Sequence, residues 1–194
     1  MVIHLRSYSS ALCAVLCLAG CAAAGVPHTN DPYEKLNWAG GLVHVGSRPL
    51  PAEALISKAI AIFEQRNDEL GLAAGYRAYA SFFASPAIEG RRQWYAQYGF
   101  RDKAATLENR FSKSIEYFQK AEAIYTRHNR SDWLTYVNLN MGLTYQVMGD
   151  LNSACRAFER SEANHRATAH FGPDVNVTVD YAQVLTSHKR SARC

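Results

Sequence analysis

The sequence has 194 residues, of which 48% are hydrophobic and 20% are charged. This composition excludes a disordered or collagen-like chain, and the length allows one domain with a sizeable hydrophobic core. The 21 Lys and Arg exceed the 17 Asp and Glu by only four charges, and they are scattered along the chain. We therefore expect no nucleic-acid partner.

Residues 1–20 have the pattern of an export signal. A positive charge at Arg6 precedes an apolar run at 11–19, and small residues follow before Cys21. The apolar run is shorter than the ~18 residues that a membrane-spanning helix requires. The pattern predicts a signal peptide over 1–20, followed by a tether at 21–32 that contains Gly and Pro.

The end of this segment, Leu18-Ala19-Gly20-Cys21, resembles the lipobox of bacterial lipoproteins. The resemblance implies that Cys21 is acylated and becomes the new N-terminus, with the acyl chains held in a membrane. Ala22 and Ala23 follow in place of the aspartate that retains such lipoproteins in the inner membrane. The expected location is therefore the outer membrane, facing the periplasm. The alternative is an ordinary signal cut within 22–24, which would release a soluble periplasmic protein.

A spacing of 21 residues recurs through the rest of the chain. It separates two small residues in each of three pairs, each member lying in an apolar helical pattern: Ala59 and Ala80, Ala121 and Gly142, Ser161 and Ala182. A large apolar residue follows the second member of each pair by three positions. Small residues at this spacing let paired helices approach closely. The pattern predicts an all-α antiparallel helix-pair solenoid over 33–188, with a tail at 189–194.

The strongest instance of the pattern resembles the tetratricopeptide repeat (TPR). The matching residues are Leu139, Gly142, Tyr145, Gly149-Asp150, Ala154, Phe158 and Ser161. By this register the units, each about 40 residues long, are 33–72, 73–134 and 135–174, with a capping helix at 175–188. The second unit is longer, because 34 residues separate Ala80 from Ser114 where the other units have twelve. The difference predicts a 22-residue insertion at about 86–107.

The insertion combines aromatic residues with arginines, including Trp94 and Tyr95. We expect a short helix at 88–98 ended by Gly99, and a long helix capped by Asp102 that reaches about Arg127. The aromatic side chains either form a partner-binding surface or pack down as additional core.

Two cysteines remain in the body of the chain, Cys155 and Cys194. Export would permit a disulfide between them. We nevertheless favour a small buried Cys155 thiol and an unpaired Cys194, because one lies in the middle of a predicted helix and the other ends the sequence.

No spacing of residues in the chain matches a known catalytic or metal-binding motif, so we expect neither an enzyme nor a cofactor or metal. Solenoids of this kind bind peptides on the face lined by the leading helices. The groove candidates are Asn37, Gly41, His44, Arg77, Ser81, Tyr136, Leu139, Asn140, Leu143, Asn176, Val179 and Gln183. Among them Arg77, Tyr136 and Asn140 are the main candidates, with Trp94 and Tyr95 in the insertion. The terminal helix is an alternative occupant of the apolar part of this face.

The resemblance to TPR lipoproteins implies a scaffold or adaptor. Such a protein would bind an envelope protein or peptide during assembly of a pilus, a secretin or a peptidoglycan-enzyme complex. The alternative is an envelope enzyme, or a module for a small ligand or metal, that uses the aromatic insertion as a lid.

Overall fold

The computed structural model describes residue 26, residues 28–168 and residues 179–194, without the side chains of 179–184. The expected signal peptide, the lipobox with Cys21 and the groove candidate Asn176 lie outside these residues. The side chains of Val179 and Gln183 also lie outside the described part.

The all-α prediction is confirmed for the described residues, which contain helices and no strand. The helices are α1 (Pro32–His44), α2 (Pro49–Arg66), α3 (Glu69–Ala84), a 3₁₀ helix (Pro86–Arg91), α4 (Arg92–Tyr98), α5 (Arg110–Arg127), α6 (Ser131–Met148), α7 (Leu151–Thr168) and α8 (Val179–Ser191). The expected unit boundaries at 72/73 and 134/135 fall inside α3 and α6, a few residues after each helix begins.

Local sequence explains where several helices begin and end. The Asp31 and Asp68 carboxylates accept hydrogen bonds from Tyr33 N at 2.9 Å and Gly71 N at 2.8 Å, which caps α1 and α3. Gly149 ends α6 at a φ of +80°, a conformation that glycine adopts without a steric cost. The turn that it makes lets α7 begin two residues later and fold back on α6.

Consecutive long helices pack against one another along the chain. In order, α1 packs on α2, α2 on α3, α3 on α5, α5 on α6 and α6 on α7, while α1 and α6 also contact α3. The small residues of the 21-residue spacing that the structure describes with side chains all lie in these contacts. Ala59, Ala80, Ala121 and Ser161 are fully buried. A Cβ on Gly142 would lie 2.3 Å from Cε1 of Phe158, so the glycine is what lets α6 and α7 approach.

The insertion is helical, but its second half differs from the expectation. The expected helix at 88–98 is a 3₁₀ turn followed by α4, and Gly99 ends it with a φ of +72° as predicted. The prediction that Asp102 caps the next helix is wrong, because α5 begins at Arg110. The Asp102 carboxylate instead accepts a hydrogen bond from the Tyr117 hydroxyl at 3.1 Å and lies 3.3 Å from Lys113 Nζ. These contacts bind the loop before α5 to the side of that helix.

The expectation of two free thiols is also wrong. Cys155 and Cys194 form a disulfide, with their Cα atoms 5.4 Å apart. The sequence places the two residues 39 positions apart, and α8 brings them together because it folds back onto α7. Sequence spacing alone contained no sign of this return.

Candidate functional site

A groove lies between α1, α3 and α6, on the side that the sequence register assigns to the leading helices. Its volume is about 440 Å³. Six predicted groove residues line it: Asn37, Gly41, His44, Arg77, Ser81 and Tyr136. Tyr33, Trp133, further apolar residues of α1 and α3, and Ile56 of α2 complete the wall. The structure thus brings the candidates of three separate helices together into one groove.

Arg77 is the main cation of this groove. Its Cζ atom lies 4.6 Å from the ring centroid of Trp133 and 5.6 Å from that of Tyr136, so the guanidinium lies beside two aromatic faces. Its Nε is buried and has no hydrogen-bond partner, while another part of the guanidinium interacts with the Tyr125 hydroxyl and opposes the rise that burial causes in the pKa of that hydroxyl. Among the described residues, no carboxylate lies within 4.0 Å of this side chain. A half-buried guanidinium without a counter-ion favours an anionic group in the groove.

The other groove candidates of α6 have different surroundings. Asn140 donates to the Tyr136 carbonyl of its own helix at 2.8 Å, and it is absent from the groove wall. Leu139 and Leu143 pack in a cluster with Leu185 of α8. The apolar part of the expected face is therefore covered by the terminal helix, which was the alternative occupant.

The two candidate residues in the insertion, Trp94 and Tyr95, also differ in their surroundings. Tyr95 is only 3% exposed and stacks on Phe100 with ring centroids 4.3 Å apart, so it belongs to the core and not to a binding surface. Trp94 is 39% exposed and lies 5.2 Å from the ring of the exposed Tyr98. The insertion thus has an inner side that packs as additional core and an outer pair of aromatic side chains. Neither Trp94 nor Tyr98 lines the groove.

A buried carboxylate holds the insertion to the body of the domain. Glu53 on α2 accepts hydrogen bonds from the Tyr79 hydroxyl at 3.0 Å and from the backbone N–H of Arg101 at 2.6 Å. The Tyr79 oxygen in turn accepts from the backbone N–H of Asp102 at 3.1 Å. Burial raises the pKa of Glu53, and these hydrogen bonds partly oppose the increase. Burial likewise raises the pKa of the Tyr79 and Tyr95 hydroxyls, and the nearby Glu53 charge adds to it.

Arg110 is a second polar anchor of the insertion. Its side chain is buried at the start of α5 and donates to the Phe83 carbonyl at 2.6 Å. A second nitrogen of the guanidinium lies 3.1 Å from a Glu89 carboxylate oxygen in the 3₁₀ helix. Burial lowers the pKa of Arg110, and Glu89 opposes that effect. Arg110 therefore fixes the end of α3, the start of the insertion and the start of α5 to one another.

A second, open cavity of about 490 Å³ lies between α2, α3 and α5. The insertion contributes Arg101, Asp102 and Lys103 to its wall, while the aromatic residues of α4 do not line it. The Asp102 carboxylate is already engaged by Tyr117 and Lys113. The geometry therefore does not favour the alternative in which the aromatic helix closes over a ligand.

In the described part of the chain, no group of three or more His, Cys, Asp and Glu side chains is placed to bind a metal ion. No helix within 28–168 or 179–194 is long and apolar enough to cross a bilayer.

Sequence reasoning missed Trp133 and Glu53. Trp133 forms a wall of the groove beside Arg77, and its place at the start of α6 offered no distinguishing signal. Glu53 did offer one, because it lies three residues before Ile56 on the apolar stripe of α2. A charged residue at such a position indicates a buried polar contact.

Comparison with known proteins does not assign the chain to a family. No family model matches the chain, and no curated protein matches it in sequence.

Proposed function

We propose that this protein is a TPR-like lipoprotein that acts as a scaffold in the bacterial cell envelope. In this account Cys21 carries the lipid and anchors the protein to the outer membrane, with the helical domain in the periplasm. The groove then binds an extended or helical segment of an envelope protein. The groove is lined mainly by α1, α3 and α6. This supports a TPR-like arrangement, because the leading helices line the peptide groove in that architecture.

The observation that carries the proposal is the Arg77 guanidinium, which lies beside the rings of Trp133 and Tyr136 and has no carboxylate partner among the described residues. Its buried Nε and the neighbouring aromatic faces provide a place for a carboxylate-bearing residue beside an apolar side chain of the partner. Aromatic residues and arginine are the side chains that most often dominate the affinity of protein interfaces. Membrane anchoring would raise the local concentration of the protein near partners held in the same membrane.

The groove is tested by affinity purification of the full-length protein after crosslinking in cells. Arg77→Glu reverses the groove charge, and Arg156→Glu makes the same charge change on α7, away from the groove wall. We expect a defined partner that is recovered with wild type and with Arg156→Glu, and is depleted at least about tenfold with Arg77→Glu, as for a truncated interface hot spot. Equal recovery with all three proteins would overturn the groove as the binding surface.

The anchor is tested separately by cell fractionation. Cys21→Ser removes the acceptor thiol, and Cys17→Ser removes a thiol from the signal while keeping the lipobox cysteine. We expect wild type and Cys17→Ser in the outer-membrane fraction, and Cys21→Ser in the soluble periplasmic fraction. A Cys21→Ser protein that still sediments with outer membranes would contradict the lipid anchor.

A further inference from the structure

The last described helix, α8, covers one end of the helical array. Beneath it lies a patch that we call the end face, formed by Leu139 of α6 and by Ala154 and Phe158 of α7. Leu185 and Ala192 of the C-terminal segment pack on this patch and are themselves buried. The end face is therefore an apolar helix-docking surface that the protein's own C-terminal helix occupies.

The described side chains of α8 make polar contacts that lie near the surface. Lys189 Nζ lies 2.8 Å from a Glu162 carboxylate oxygen, and His188 Nδ1 lies 3.0 Å from Gln146 Oε1. Gln146 also donates to the Ser191 hydroxyl at 3.2 Å. Partly exposed ion pairs and hydrogen bonds of this kind contribute little to stability. Within the described residues, α8 packs on α7 less extensively than α6 does.

The Cys155–Cys194 disulfide is a covalent link that holds α8 near the end face. It joins α7 to the residue that ends the described segment, and so keeps α8 at a high effective concentration over the end face. Cys155 is partly buried on α7, whereas Cys194 is exposed. An external thiol can therefore reach the bond from the Cys194 side.

We propose that this disulfide is a redox latch, and that its reduction frees α8 and opens the end face to an amphipathic helix of a partner protein. The partner helix resembles α8 in chemistry: it carries apolar residues seven positions apart, as Leu185 and Ala192 are, and a basic residue between them, as Lys189 is. The basic residue is specified by Glu162, which borders the end face and pairs with Lys189 in the closed form. This second surface is separate from the Arg77 groove and does not depend on it.

The reaction is an ordinary thiol–disulfide exchange with a dithiol reductant. A thiolate of the dithiol attacks Sγ of Cys194, a mixed disulfide forms, and Cys155 leaves as a thiolate that takes up a proton. The second thiol of the reductant then attacks the mixed disulfide, forms the oxidised cyclic reductant and releases Cys194 as a thiol. Two electrons pass from the dithiol to the cysteine pair, together with two protons.

Hydrogen exchange of the full-length protein with and without dithiothreitol tests the latch. On reduction, we expect amide exchange in 185–192 and in the end-face segments 139–146 and 154–161 to accelerate at least about tenfold, with α1–α3 unchanged. The double variant Cys155→Ser/Cys194→Ser serves as a control that needs no reductant, and it should match the reduced protein under both conditions. Unchanged exchange near α8 would overturn the latch, and so would acceleration throughout α1–α3, which would make the bond a support of the whole fold.

The docking surface is tested with a fluorescent synthetic peptide of residues 179–192, which copies α8 without Cys194. We expect this peptide to bind the reduced protein at least about tenfold more tightly than the oxidised protein, because in the oxidised protein the tethered α8 competes for the same face. A peptide with Lys189→Glu is the charge-reversed control and should bind more weakly. Equal binding to both redox forms, or binding to neither, would overturn the docking surface even if the latch opens.

Discussion

The helix pairs α3–α5 and α6–α7 use one pattern of small and aromatic residues, yet they are connected in opposite ways. In α6–α7, the turn at Gly149 joins the helices directly, and Gly142 admits the Phe158 ring between them. In α3–α5, a helical insertion intervenes, and buried polar groups from α2 and α5 hold it in place. The comparison shows that helices with these small and aromatic residues pack as neighbours with either connection, provided that long-range contacts replace the missing short turn.

The largest effect is expected from removing the polar anchor of the insertion. Glu53→Ala leaves the Tyr79 hydroxyl and the Arg101 N–H without their acceptor in a buried site. We expect the free energy of unfolding to fall by about 3 kcal/mol, since each buried unsatisfied group costs about 1–3 kcal/mol. Urea denaturation of the purified protein measures this loss.

Glu64→Ala is the matched control, because it removes an exposed glutamate from the same helix. We expect it to change the free energy of unfolding by less than about 0.5 kcal/mol. Equal stability of Glu53→Ala and wild type would show that the insertion does not depend on this carboxylate.

The next largest effect is expected at the close contact of α6 and α7. Gly142→Ala places a Cβ 2.3 Å from Phe158, so the ring or the helix must move. We expect a loss of about 1–3 kcal/mol, the usual cost of overpacking, despite the better helix propensity of alanine. Thermal unfolding followed by circular dichroism measures it.

Gly40→Ala is the contrasting substitution in α1. A Cβ at Gly40 would meet no atom within 4 Å, so the gain in helix propensity is unopposed. We expect a stabilisation of about 0.5–1 kcal/mol in the same unfolding assay. If Gly40→Ala destabilised the protein and Gly142→Ala did not, the close contact of α6 and α7 at Gly142 would be contradicted.

A smaller effect is expected in the pH dependence of stability. Because burial raises the pKa of Glu53, the folded state binds more protons than the unfolded state between the ordinary value of 4.5 and the raised value. The part of the stability that comes from this pKa difference is thus present below the window and is lost as the pH rises through it. Glu53→Gln keeps an oxygen acceptor without the charge.

The quantity to measure is the difference in unfolding free energy between Glu53→Gln and wild type. We expect this difference to shift in favour of Glu53→Gln as the pH rises from 4 to 8 in urea denaturation experiments. A difference that stays constant over this range would contradict a raised pKa at Glu53.

The same comparison explains which parts of the fold could be predicted from the sequence. The α6–α7 turn and the contact at Gly142 are encoded locally, by residues at fixed helical spacing and a glycine that accepts a positive φ. Asp102 also looked like a local cap, but its carboxylate is taken by Tyr117 and Lys113, which lie in the next helix. The disulfide depends on the return of α8 to α7, which no local pattern signals.

The residues of the candidate site likewise include some that the sequence predicts and some that only the folded structure identifies. Register alone placed Asn37, Arg77 and Tyr136 on one face, because residues of leading helices share it in a helix-pair array. Trp133 became part of the site only through its contact with Arg77 across two helices. Tyr95 and Trp94 are adjacent in the chain, and only the docking of α4 decides that one is buried and the other exposed.

Site-specific photocrosslinking in living cells tests the central claim, that the groove between α1, α3 and α6 binds a protein partner. A benzophenone amino acid replaces Tyr136 in the groove or, as the matched position, the exposed Tyr98 on α4. The account predicts a discrete crosslinked adduct from position 136 that disappears when Arg77→Glu is added. An adduct from position 98 alone, or one from position 136 that persists with Arg77→Glu, would contradict it.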